Sequence, residues 1–349
     1  MSRIFTRSPY IVEINETGQE STRVELYIWK EGTTEPTSPQ YNLSKNIPAS
    51  NLPSTTYNVS PYIREYISFS GYTANVSDTP EDTDTDFYTN VRIKSFYTTS
   101  LSESESSNTI HKAFDGYGTY EEGYNPSLGS TTVLLDEGTY YYDEDTHAGS
   151  INMNLADIQE FVKYTNLNDG TEINVSFSTN ELRSYNRVHT DNIADGNKLE
   201  LYRGLNVLWT GYFKPQCELK YTPVYIDYVN RFGMWARTFM FKTSKDTFST
   251  TSSEYNLMQS DLVNYSVLEG QRKQFNVNGQ ESIKVNSGWV KEDYSNELKQ
   301  LLVSERILVN NRPAKCTTTS LDMQKSINDK TISYSLDFQF NNDYINSVV

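Results

Sequence analysis

The clearest alternation of apolar and polar positions lies between Ile283 and Asn346. Ile332, Tyr334, Leu336, Phe338 and Phe340 alternate with Ser333, Ser335, Asp337 and Gln339, a period of two that predicts a strand with one buried face. Ahead of it, Tyr294, Leu298, Leu301 and Leu302 fall at i, i+4, i+7 and i+8, one apolar stripe on a helix. Glu292 and Asp293 stand at its start, where the helix dipole favours negative charge. Short strands are expected at Ser282–Val285 and Arg306–Val309, with breaks at Ser287-Gly288 and Asn310-Asn311-Arg312-Pro313. The stretch carries no catalytic residue set; it is a packing unit.

The same reading applied from the N-terminus predicts strands at residues 8–16, Arg23–Lys30 and Phe87–Tyr97. In the second of these, Val24, Leu26 and Ile28 take one face and Glu25, Tyr27 and Trp29 the other. Ser60 as N-cap and Pro61 at the first helical position predict a short helix carrying Ile63, Tyr66 and Ile67. Residues 70–130 read as a long polar insertion, with 98–110 a mobile acidic loop and 98–125 a candidate contact arm. Thr131–Tyr142 is expected to be a hairpin turning at Asp136-Glu137-Gly138. A helix capped by Asn154, with Leu155, Ile158, Phe161 and Val162 on its apolar face, should follow. Ile173–Phe177 alternates as a strand, Lys198–Arg203 and Asn206–Phe213 pair about Gly204, and Arg231-Phe232-Gly233 turns between Val224–Asn230 and Ala236–Lys242.

These elements make the chain mainly β, with an α+β C-terminal part and β-sandwich-like domains holding a few short helices. The expected domains are 1–145 and 146–349. Composition supports a folded protein: only 36% of residues are hydrophobic, but 13% are aromatic and 27 are tyrosines. A formal charge of −15, from 45 acidic and 30 basic residues, disfavours a sequence-reading nucleic-acid binder or an anionic membrane surface. No apolar stretch reaches signal-peptide or membrane-span length, so a soluble product made in a cytoplasm is expected.

Candidate chemistry is sparse. Asp82-Thr-Asp84-Thr-Asp86 opens like a calcium loop, but Phe87 and Ile93 hold the places of its glycine and bidentate glutamate. His111, His147 and His189 are far apart and read as surface residues. Cys217 and Cys316 allow one bridge at most. No nucleophile elbow or phosphate loop occurs. Glu121-Glu122, Asp136-Glu137 and Asp143-Glu144-Asp145 supply carboxylates of the kind a glycosidase pairs, and acidic turns supply them equally well. Trp29, Trp209, Trp235 and Trp289 lie in or beside apolar patterns and read, with Tyr294, Leu298, Leu301 and Leu302, as packing or assembly anchors. The expected set is therefore no catalytic residue, no cofactor and no metal.

Several segments resemble a family of structural proteins from tailed bacteriophages, the crAss-like phages and their relatives. They are Arg7-Ser-Pro-Tyr-Ile-Val-Glu-Ile14, Val24-Glu-Leu-Tyr-Ile-Trp29, Asn58-Val-Ser-Pro-Tyr-Ile-Arg-Glu-Tyr-Ile67, Tyr228-Val-Asn-Arg-Phe-Gly233, Ser287-Gly-Trp-Val290 and Ser326-Ile-Asn-Asp-Lys-Thr-Ile-Ser-Tyr-Ser-Leu-Asp-Phe338. The likeness spans the N-terminal part, the middle and the C-terminal run, but not 70–130. It departs from the family pattern at Val290, where a capping Thr or Ser is usual.

The resemblance implies a virion component of the neck or tail with no enzyme activity. The expectation is a homo-oligomeric ring or collar that joins portal-side and tail components, with DNA only as passing cargo. A receptor- or glycan-binding tail protein is the alternative, and a glycan depolymerase the one after it.

Overall fold

In the computed structural model, residues 2–47, 54–69, 72, 81–82, 85–100, 102–123, 125, 132–143, 149, 151–155, 160–177, 182–185, 195–216, 220–257, 267–268, 270–323 and 332–346 are described. Over these residues the protein is mainly β, with two short α-helices. The chain forms two compact units, Met1–Cys217 with Tyr228–Thr238, and Glu218–Asp227 with Phe239–Val349. The expected division at 145 falls inside the first unit.

That unit opens with β1 (Ser2–Phe5), β2 (Ile11–Ile14), β3 (Ser21–Trp29), β4 (Tyr41–Asn46) and β5 (Thr55–Asn58). Helix α1 (Ser60–Arg64), β6 (Glu81–Asp82), β7 (Tyr88–Thr98) and β8 (Glu103–Phe114) follow. A five-stranded sheet runs β1-β8-β7-β3-β4, and β2 pairs antiparallel with β5. Val24, Leu26, Ile28, Val91 and Ile93 point from the sheet into a core closed by Val12, Ile14, Tyr57 and Ile63 of the smaller layer. Each is an alternate residue of its strand or the inner face of α1, which is why the pattern was readable. Ser60 does not cap α1. Its hydroxyl donates to the Ser8 carbonyl at 2.6 Å and accepts the Tyr10 N–H at 2.8 Å, so Val59 holds the N-cap position.

The acidic stretch expected to be a mobile loop is mostly strand. β8 pairs with β7 along its whole length, from Thr98↔Glu103 to Tyr88↔Phe114, and its last four residues, His111–Phe114, also pair with β1 on the other side. Its Ser–Glu alternation is a solvent face. Arg23 donates to both Glu103 oxygens, at 3.0 and 2.9 Å, and Ser95 bonds Ser107 at 2.7 Å.

The rest of the first unit carries β9 (Thr132–Val133), β10 (Gly138–Asp143), β11 (Ile151–Asn154), β12 (Glu160–Asn166), β13 (Glu172–Ser176), β14 (Leu182–Tyr185), β15 (Asn197–Arg203) and β16 (Asn206–Gln216). One sheet runs β10-β16-β15-β12-β13 and another β6-β14-β11-β9. Val133, Ile151 and Met153 of the second meet Val162, Leu199, Leu201 and Trp209 of the first around one small cavity. The β15–β16 pairing about Gly204 is as expected.

Two expectations fail here. The 131–142 hairpin does not form: β9 pairs with β11, and β10 lies parallel to β16. Side chains of its supposed turn are held elsewhere, Asp136 by Arg231 at 3.2 Å and Glu137 by the Thr210 N–H at 3.1 Å. The helix predicted after Asn154 does not form over the described residues, because Asn154 ends β11 and Phe161 and Val162 lie in β12. Burial in β12 alternates at Glu160, Val162, Tyr164 and Asn166, a period of two that an isolated apolar pair had disguised. Ile158 lies outside the described residues.

The chain continues through β17 (Val224–Val229) and β18 (Trp235–Met240) to β19 (Lys245–Asn256), β20 (Arg272–Asn286), α2 (Tyr294–Leu302), β21 (Ile307–Val309), β22 (Arg312–Cys316) and β23 (Ser335–Asp343). The sheet of the second unit runs β21-β22-β23-β20-β19, extended at the β21 side by the parts of β17 and β18 that belong to this unit. Ile332, Tyr334, Leu336, Phe338 and Phe340 are all buried, as are Tyr294, Leu298 and Leu301 of α2, whereas Leu302 is half-exposed. Asn310 and Asn311 take φ of 48° and 63°, the left-handed pair a two-residue hairpin turn needs, and Arg312-Pro313 already belong to β22.

Candidate assembly site

The least buried regular element is the ribbon of β19 and β20. Every residue of β19 is exposed, and so is most of the outer half of β20. As far as Gly279 the ribbon has support. The Tyr344 N–H bonds the Gly279 carbonyl at 2.8 Å, and the Phe248 ring covers Gly279 while meeting Tyr344 edge-on at 5.1 Å. Farther out, from Ser253↔Phe275 to Asn256↔Arg272, two strands stand alone among the described residues. At ~3.3 Å per residue the ribbon from Thr250 to Asn256 reaches about 20 Å. Threonine, tyrosine and phenylalanine favour this extended backbone, and a bulge at Thr251/Ser253, with Asn276 at φ 50°, adds twist. An isolated two-stranded hairpin is marginal in water, yet this one also exposes Tyr255, Phe275 and Val277.

At the base of the ribbon a cleft of about 480 Å³ opens beneath Trp289, whose side chain is 64% exposed. Lys242, Lys245 and Lys284 line it together with Tyr221, and among the described residues no carboxylate does. The turn presenting Trp289 is rigid. The Asn286 side chain accepts the Gly288 N–H at 2.9 Å and donates to Ser335 at 2.9 Å. Buried Ser287 accepts the Tyr334 N–H at 3.0 Å, and Gly288 has a left-handed φ of 73° that a larger residue would strain. Immediately after, Val290 is fixed by paired backbone bonds to Ile332 at 2.8 Å.

The sequence-nominated residues separate into four groups. Trp209 and Trp235 are core: Trp209 donates its indole N–H to the Leu135 carbonyl at 2.9 Å, and Trp235 stacks on Tyr72 at 5.1 Å. Trp29 is half-buried at the end of β3. Tyr294, Leu298 and Leu301 are packing residues of α2, with the Tyr294 hydroxyl donating to the Phe239 carbonyl at 3.3 Å. Trp289 alone of the tryptophans is presented to solvent, so it is a surface residue and not a core anchor.

His111, expected at the surface, is not a surface residue. It is buried in β8, bonded to Thr109 at 2.7 Å and edge-on to Tyr10, and burial lowers its pKa. His147, His189, Cys217 and Asp84 lie outside the described residues, and Asp86 is engaged by Lys30. Cys316 is a free thiol whose pKa burial pushes up. Glu122 caps its own turn, and the Thr119 N–H at 2.9 Å holds it below the usual carboxylate range. Among the described residues no group of three or more His, Cys, Asp or Glu side chains is placed to hold a metal ion, and no helix is long and apolar enough to cross a membrane.

Beyond the expected strand at Ser282–Val285, the outer part of the ribbon was missed in the sequence because it buries no side chain in a core. Without a core-facing side there is no hydrophobic alternation, and only its Thr, Tyr and Phe content pointed to strand.

No family model matches the chain, and no curated protein does. Among solved structures, the periplasmic chaperone SfaE is 8% identical, with 61% of this chain and 96% of that chain covered at a TM-score of 0.18. CBD12 from CALX1.2 is 10% identical over 61% of this chain and 96% of its own, at a TM-score of 0.19. Likenesses this distant carry no argument about fold or function.

Proposed function

We propose that the chain is a structural subunit that assembles with copies of itself into a ring or collar of a tailed-phage neck or tail, around the DNA channel. The observation that carries this reading is the β19–β20 ribbon. A two-stranded arm of about 20 Å with exposed aromatics gains its missing contacts when a neighbouring copy covers it. The sequence resemblance supplies the setting, and the charge of −15 suits it, because an acidic lumen repels phosphates and lets DNA slide.

The test has two arms. Replacing 252–277 by Asn-Gly joins Thr251 to its register partner Asn278 through a two-residue hairpin turn and leaves the β20–β23 pairing intact. The shortened protein should melt within a few degrees of the parent and lose its oligomers in light scattering; unchanged oligomers would remove the arm from the assembly. In cryo-electron microscopy of the virion, density for the chain should ring the neck or tail. Density confined to capsid faces, or none, ends the proposal. Glycan-array binding by the purified monomer would favour the glycan-binding alternative.

A further inference from the structure

We infer, resting on the self-assembly proposed above, that the cleft beneath Trp289 is the socket for the Tyr120-Glu121-Glu122 turn of a second copy. Lys245 and Lys284 are register partners across β19 and β20, and like charges directly opposite destabilise a sheet unless an anion bridges them. Asp337 lies on the other side of Lys284, at 3.6 Å, and offsets part of that repulsion. It does not line the cleft, so the lining stays cationic. In a chain of charge −15, a cleft lined by Lys245 and Lys284, with no carboxylate lining it among the described residues, is complementary to much of the surface of another copy.

One acidic turn also matches the aromatic lining. Tyr120 is 99% exposed, between Thr119 and two glutamates. The turn is held as a rigid tooth: Glu122 accepts both the Thr119 N–H and hydroxyl, at 2.9 and 3.0 Å, and Arg231 donates to its other oxygen at 3.1 Å. Tyr120 is thereby fixed at the apex with Glu121 beside it. A rigid aromatic with adjacent carboxylates meeting a rigid tryptophan rimmed by lysines loses little conformational entropy on docking. The cleft volume lies in the ~300–1,000 Å³ range that seats one compact group. Tooth and socket are different surfaces, so the contact is head-to-tail, the type that closes into rings.

The experiment measures the assembly constant of the full chain by analytical ultracentrifugation for Lys245→Glu, Trp289→Ala, Tyr120→Ala and Glu121→Lys, and for Lys245→Glu combined with Glu121→Lys. Each single change should weaken assembly at least tenfold, and the charge-swapped double variant should regain at least threefold over either charge variant. Wild-type assembly unchanged by all four singles, or strictly additive losses in the double variant, overturns the inference while leaving the ring reading standing. A wild-type chain monomeric at every concentration overturns both. Twelve-residue oligo-dT and a sulfated oligosaccharide are titrated in parallel. Micromolar binding of either that depends on Lys245 and Trp289, with assembly unaffected by those variants, assigns the cleft to that ligand instead.

Discussion

Leu298 tests whether α2 seals the sheet of the second unit. Its side chain has 0% exposure. Truncating such a leucine to alanine costs about 2–5 kcal/mol, from lost transfer energy and the cavity left behind. Leu298→Asp loses the same apolar contacts and places a carboxyl in the gap. A buried carboxyl has its pKa raised by up to ~3–5 units, and at ~1.4 kcal/mol per unit a three-unit rise adds about 4 kcal/mol at neutral pH. The total, about 6–9 kcal/mol, rivals the ~5–15 kcal/mol stability of a whole domain.

The two parts separate by pH. The introduced carboxyl titrates higher when folded than when unfolded, so the folded state binds more protons and its penalty shrinks as pH falls. Urea denaturation at pH 7 and pH 4.5 should show Leu298→Asp far below Leu298→Ala at the higher pH and approaching it at the lower. Leu302→Asp, at the half-exposed edge of the stripe, should cost much less at both. If Leu298→Asp lies within about 1 kcal/mol of the parent at pH 7, a change that small is typical of surface substitutions and α2 does not cover the core.

Four further changes probe the first unit. Glu160 is fully buried and accepts from Arg203 at 2.8 and 2.9 Å, so Arg203→Met leaves a buried carboxylate without that partner. Because Arg203 is itself half solvated, a loss of about 2–3 kcal/mol in urea denaturation is expected, and a neutral result refutes the pairing. His111 titrates lower when folded than its ordinary 6.5, so the unfolded chain binds the extra proton and stability should fall as pH drops from about 7 toward 5.5. His111→Gln should flatten that slope, and an unchanged slope assigns it to other groups. At Gly233, φ is 80° and an added Cβ would lie 2.7 Å from the Asp115 nitrogen, so Gly233→Ala should cost about 2–5 kcal/mol. Gly32→Ala, at φ 77° in open space, should cost only about 1–2 kcal/mol, and equal losses would mean that backbone conformation alone matters at both.

What the sequence made legible was what it buries on one side. The Ile332–Phe340 run, the α2 stripe and the Val24–Ile28 strand each carry a regular period because one face meets a core, and their buried positions fall as the pattern placed them, although β23 itself starts at Ser335 and Leu302 is half-exposed. The failures share the opposite cause. β8 sits within a sheet, but its Ser–Glu face looks to solvent, and composition alone read it as disorder. In β12 the apolar residues Phe161 and Val162 are neighbours on opposite faces, which a helical template accommodates equally well. The outer part of the β19–β20 ribbon buries no face, and Trp289 lies next to an apolar run yet points away from it. The candidate site was therefore nearly invisible, because pattern reading detects the inside of a protein and this site is built from residues the fold leaves outside.

A ring of such chains, as proposed, would face an electrostatic difficulty of its own. Copies carrying −15 each repel one another over roughly a Debye length, about 8 Å at physiological ionic strength. A tooth-and-socket contact acts at much shorter range, where lysine and glutamate approach directly and water is largely displaced, so salt screens it less than it screens the diffuse repulsion. Moderate salt should therefore promote assembly before higher salt weakens it, giving a maximum in sedimentation coefficient between low and high ionic strength. An assembly held by the apolar ribbon alone would strengthen monotonically with salt, since only repulsion is being screened. Removing the lysines of the socket should convert the first behaviour into the second, and a maximum that survives their removal would place the attractive charges elsewhere.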